Sequence, residues 1–187
     1  LREENWTLYA QPIVSAARNA DKHCIELLLR LPDSNTDEPI APQQFLRAAL
    51  RAGVMGKADR WLVREAVEHF NENPFEATRT WRCHINLSTQ SLEDDGFIQF
   101  IEAALKNSVI LPNQLVFEVS EPDVFKHFDQ TYQLFKNLKE LGIGTAIDQF
   151  GSSYNSFQLL RQLPLTQIKV NRFWVQNMLI DTIDAEL

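Results

Sequence analysis

The chain has 187 residues, of which 44% are hydrophobic and 10% aromatic, enough to bury one sizeable core in a single domain. A formal charge of −7 and a pI near 5.1 exclude a general nucleic-acid binder, which would present a basic face to phosphates. Two cysteines, Cys24 and Cys83, set in apolar runs exclude a disulfide framework and fit a reducing cytoplasm. No stretch approaches the roughly 20 apolar residues of a membrane span, and LREENWTLYAQ has no signal-peptide core.

Trp6 to Val14 is expected to be a first strand, followed by a polar connection over 15–22. His23 to Leu31, HCIELLLRL, reads as a second strand carrying one acid, Glu26, in an apolar run. A strand covered on both faces is normally continuously hydrophobic, so a buried Glu must be paired, protonated or metal-bound. Pro42 starts a helix that Gly53 stops, and KADRWLVREAVEHFNEN forms a second. Asp59 and Arg60 then fall in a first turn, where the acid is favourable at the helix N-terminus and the Arg is solvated.

WRCHINL, Trp81 to Leu87, reads as a third strand ending at Asn86, and Phe97 to Leu105 as a helix. LVFEV, Leu115 to Val119, is a fourth strand bearing Glu118, with Glu121 three residues on. Phe125 to Leu141 reads as one amphipathic helix with Phe128, Tyr132, Phe135 and Leu138 on one side. GIGTAIDQFGSSYNS then supplies a buried strand over Thr145 to Ile147, closed by Asp148 and a small-residue loop. Alone, Asp148 reads first as an ordinary helix-capping residue. Ser153 to Leu163 is a further helix, QIKV a short strand carrying Lys169, and the signal weakens from Phe173 onward.

Alternating strands and helices predict parallel α/β packing of the (β/α)-barrel kind, whose site lies at the C-terminal strand ends. Glu26, Asn86, Glu118 and Asp148 sit in four strands and Lys169 in a fifth. If they converge, three carboxylates and an amide oxygen suit Mg²⁺ or Mn²⁺, with the lysine orienting a water or meeting a phosphate. His23, His69, His84 and His127 show no metal spacing, and His84 reads as a satisfied core or surface histidine. Gly142 and Gly144 precede their strand and do not make a dinucleotide fingerprint.

In order, YAQPIV, ELLLR, INLSTQSL, FEVSE, AIDQFGSSYNS and IKVNRFWV resemble the motifs of the EAL domain, a bacterial family of cyclic di-GMP phosphodiesterases and ligand-sensing relatives. The resemblance implies a (β/α)8 TIM-like barrel over residues 1–187, incomplete at its C-terminus by two strands that carry a late Glu and Gln. It implies that Glu26, Asn86, Glu118 and Asp148 match metal ligands and Lys169 a water-activating lysine. Hydrolysis would proceed through a two-metal centre to linear pGpG. It also implies that Gln11, Leu29, Arg30 and Asp59 hold the dinucleotide, Arg30 at phosphate and Asp59 at a guanine edge.

Three departures point to a degenerate member. Asp148-Gln149 replaces paired aspartates, Ser153 replaces a glycine, and Lys169 to Asn171 reads KVN where the family has KID. The chain is accordingly similar to the FimX type of receptor, associated with type IV pilus assembly and twitching motility, whose EAL domain can engage a PilZ-domain protein. That reading implies a cytoplasmic cyclic di-GMP receptor needing no metal to bind, with Mg or Mn required only for catalysis. It involves neither DNA nor membrane, and a homodimer stays open. An active phosphodiesterase is the alternative.

Overall fold

A computed structural model describes residues 6–14, 23–33, 39–73 and 81–177. Its strands are β1 (Thr7–Ile13), β2 (His23–Arg30), β3 (Trp81–Asn86), β4 (Leu115–Ser120), β5 (Gly144–Phe150) and β6 (Gln167–Val170). The helices are α1 (Pro42–Arg51), α2 (Met55–Glu72), α3 (Thr89–Leu92), α4 (Phe97–Leu105), α5 (Glu121–Lys126), α6 (Phe128–Glu140), α7 (Ser156–Gln162) and α8 (Arg172–Asn177). The strands form one sheet in the order β1 to β6. Neighbours from β2 to β6 run parallel. Among the described residues the barrel wall is not closed.

β1 departs from the parallel expectation and pairs antiparallel with β2, Gln11 opposite Glu26. Residues 14–22 are too few for a crossover, which takes about a dozen residues or more. The other strands are each followed by helix, and their hydrophobic content follows from that cover. Leu115 to Val119 of β4 are all buried, since apolar side chains must fill both the helix-facing and the interior face. The core gathers Cys83, Ile85, Phe117, Val119, Phe97, Ile101, Phe135, Leu138 and Ile147 with the buried stripe of α2 at Leu62, Ala66, Val67 and Phe70.

Several boundaries differ from expectation. α2 begins at Met55, so Asp59 lies beyond its first turn and the helix-dipole reading of that acid falls away. Arg60 is not merely solvated: its guanidinium is 2.6 Å from Asp94 and stands 4.6 Å from the Phe100 ring centroid. The single helix expected over Phe125 to Leu141 is two, separated at His127 (φ −126, ψ 46). Ser120 caps the first by accepting from the Asp123 amide at 3.3 Å. The buried face of α6 is Thr131, Leu134, Phe135 and Leu138, with Tyr132 exposed. β5 runs through Asp148 to Phe150, with an irregular register against β6 between Ile147 and Phe150. α8 occupies the stretch where the sequence signal weakens.

Candidate functional site

Side chains alternate across a strand, so residues two apart share a face. That rule puts Glu26 of β2, His84 and Asn86 of β3, Glu118 of β4, Asp148 of β5, and Gln167 and Lys169 of β6 on the interior face. Lys169 Nζ is the centre of the cluster. It lies 2.7 Å from Glu26 Oε2, 2.7 Å from Glu118 Oε2 and 3.7 Å from Asp148 Oδ1. Asn86 Nδ2 donates to Glu26 Oε1 at 2.5 Å, and His84 Nδ1 contacts Glu118 Oε1.

The electrostatics follow from this crowding. Burial works against the Lys169 ammonium, but Glu118, with Glu26 and Asp148, outweighs it and raises the lysine above its usual pKa. Asp148 is pushed up by burial, with Glu118 and Glu26 acting the same way. Lys169 and the Gln149 amide oppose that shift. One fixed cation therefore answers three acids within reach.

In kind, the carboxylates and the Asn86 amide suit a hard divalent cation. In arrangement they are turned to protein donors, and among the described residues no group of three or more His, Cys, Asp or Glu is disposed to hold a metal. Gln149 adds no charge. It is exposed and has φ 59, the one positive value among described non-glycine residues. Ser153 carries no such strain, and its carbonyl accepts from Ser156 Oγ at 2.6 Å. The Asn171 side-chain oxygen accepts from the Phe173 amide at the start of α8.

The residues matched to dinucleotide binding divide. Gln11 and Arg30 share the cluster's face by strand register, Gln11 opposite Glu26 and Arg30 four residues past it at the end of β2. Arg30 Nη1 donates to the Leu29 carbonyl at 2.9 Å and its guanidinium stands 5.9 Å from the Tyr9 ring centroid. Leu29 has the opposite parity and packs on the core. Asp59 is 2% exposed, behind the strands on α2. Its Oδ2 accepts from Ser88 N, Ser88 Oγ and Ser91 Oγ at 2.7 to 2.8 Å, so it secures the start of α3, two residues from Asn86. Burial raises its pKa against the pull of those serines.

Two further groups shape the site's loop. Glu121 is fully buried, and its Oε2 accepts from the Ser152 amide and hydroxyl at 2.7 and 2.6 Å, while Oε1 has no partner among the described residues. Trp174 Nε1 donates to the Gly151 carbonyl at 2.9 Å. Its ring fills the place of a side chain at 151, where a Cβ would come within 2.7 Å, and φ is +90. The acid three residues past a strand acid, ahead of proline, was the sequence signal for Glu121. Nothing local announces Trp174.

The EAL domain family profile matches residues 1–187. The chain is 32% identical to the FimX EAL domain from Pseudomonas aeruginosa bound to c-di-GMP, with a TM-score of 0.86, covering 98% of this chain and 72% of that one. It is 30% identical over 188 residues to the cyclic di-GMP phosphodiesterase PdeB of Shewanella oneidensis, covering 98% of this chain and 21% of PdeB. It is also 30% identical over 187 residues to the cyclic di-GMP phosphodiesterase PdeF of Escherichia coli, covering 24% of that protein. The chain thus spans about a fifth to a quarter of the length of these curated relatives. Among the described residues no helix is long and apolar enough to cross a membrane. By the profile match, the ordered motifs and the shared architecture, the chain belongs to the EAL domain family.

Proposed function

We propose that this domain is a cyclic di-GMP receptor that binds its ligand without a divalent cation and hydrolyses it slowly or not at all. The observation that carries the reading is the protein-satisfied acidic cluster: Lys169 answers Glu26, Glu118 and Asp148, and the neighbouring Gln149 offers no second anion. A second cation beside the first would meet more uncompensated repulsion there than beside paired aspartates. The likeness to a FimX EAL domain bound to c-di-GMP supports the ligand.

In this reading Gln11 and Arg30 meet the nucleotide at the rim, Arg30 as a phosphate fork. Leu29 and Asp59 shape the wall behind it, Asp59 through the Ser88 that it holds. Lys169 is vestigial as a catalyst, and Glu26, Asn86, Glu118 and Asp148 are vestigial as metal ligands. Occupancy is passed in the cytoplasm to a protein partner, a PilZ-domain protein in type IV pilus and twitching control, from a monomer or homodimer.

Retention of all five cluster residues supports the second reading, an Mg- or Mn-dependent phosphodiesterase making pGpG. Calorimetric titration with cyclic di-GMP, in magnesium and in chelator, together with chromatography for pGpG, separates the two. Binding in chelator without pGpG is expected. Metal-dependent, brisk turnover overturns the receptor reading.

A further inference from the structure

Beneath the acidic cluster lies a second polar layer. His84 and Gln167 each sit two residues before a cluster member, Asn86 and Lys169, and so share its interior face. The His84 and Glu118 side chains are 2% and 0% exposed. His84 Nδ1 contacts Glu118 Oε1, while Gln167 Nε2 lies 2.9 Å from His84 Nε2 and 3.2 Å from Nδ1.

A carboxylate oxygen accepts, so the His84 Nδ1–H donates to Glu118 Oε1, and the Gln167 amide lies against the imidazole from the next layer of β6. The other oxygen, Oε2, accepts from Lys169 at 2.7 Å. Both oxygens of this buried carboxylate are thus held by donors on other strands, His84 on the adjacent β3 and Lys169 on β6. A cation bound at Oε1 would strand a buried imidazole N–H, and one bound at Oε2 would displace the lysine.

We propose that Gln167 and His84 are positioning residues that hold Glu118 as an acceptor for protein donors and so lower the affinity of the cluster for a divalent cation. The inference rests on the cyclic di-GMP receptor reading and deepens it, giving a reason for binding without metal. It concerns a layer of side chains distinct from the cluster and from the rim residues.

The test uses the full chain and Mn²⁺ alone, followed by the paramagnetic resonance of the free ion. His84→Val is expected to bind Mn²⁺ about tenfold more tightly than the unaltered protein, the equivalent of one hydrogen bond to a charged group. Gln167→Met, which leaves the imidazole in place, should bind it about threefold more tightly. Unchanged Mn²⁺ affinity in folded His84→Val overturns the proposal, and so does unchanged affinity in Gln167→Met should the first variant fail to fold. Cyclic di-GMP titration in chelator is a separate arm: its failure removes the receptor reading, whereas the Mn²⁺ results decide the positioning role of His84 and Gln167.

Discussion

The floor of the site and its loop are held by different means. The floor is a set of charges from four strands and the Asn86 amide from a fifth, each oxygen of Glu26 and Glu118 met by a donor from another strand. The loop over 151–155 has no ladder and is fastened from two sides by single side chains, Glu121 on Ser152 and Trp174 on Gly151. The floor is therefore fixed by backbone geometry and fails only when its charge balance fails. The loop depends on two particular contacts and can be released without unfolding the sheet.

The comparison predicts where damage spreads. Lys169→Met should have the largest effect, because it leaves Glu26, Glu118 and Asp148 without their cation in a half-buried site. A loss of about 3 kcal/mol in urea unfolding is expected, and an unchanged midpoint would show that the floor is not held by charge balance. Glu121→Ala should cost about 2 kcal/mol, the range of hydrogen bonds to a charged group. Its signature is faster hydrogen exchange and proteolysis confined to 151–155. A spread of fast exchange into β4 and β5 would erase the distinction between floor and loop.

Asp59 sharpens the comparison through pH. Its folded pKa lies above the usual 3.8, so the native state binds the proton more tightly than the unfolded chain. Stability contributed by the protonated acid is present below that ordinary value and is lost as pH rises through the folded value. Asp59→Asn should flatten this fall in thermal midpoints measured from pH about 4 to about 7. An unchanged slope would mean that Asp59 is not the group that titrates. The smallest effect is expected of Gln149→Gly, which removes a non-glycine residue from φ 59 at an exposed position. A gain of up to about 1 kcal/mol in urea unfolding is expected, and a clear loss would show that the Gln149 side chain holds the strand end.

What the sequence disclosed follows the same division. Glu26, Asn86, Glu118, Asp148 and Lys169 were legible as a group because each interrupts an apolar strand, and strand alternation then carries all five to one face. The parallel order from β2 to β6 was legible for the same reason. The antiparallel β1 was not read, although the short connection over 14–22 implied it. The break at His127 escaped because helical periodicity continues across it, while the cap that starts α5 depends on Ser120 and Asp123. His84 looked like a satisfied core histidine, and its partners Glu118 and Gln167 lie 34 and 83 residues away. Trp174 is separated from Gly151 by 23 residues and a strand. Such contacts leave no local pattern, so periodicity cannot find them.

The antiparallel pairing of β1 bears on how one side of the site is held. In a parallel sheet each strand is tied to its neighbours through a helical crossover, and opening one disturbs a layer of packing. Among the described residues β1 pairs with β2 and no other strand, and most of its side chains are exposed while Leu8 packs on the core. Gln11 rides on that strand opposite Glu26, and the Tyr9 ring lies 5.9 Å from the Arg30 guanidinium. This side of the site is thus built on a directly hydrogen-bonded strand pair without a helical crossover, and amide exchange along Thr7–Ile13 would report how firmly that pair is held.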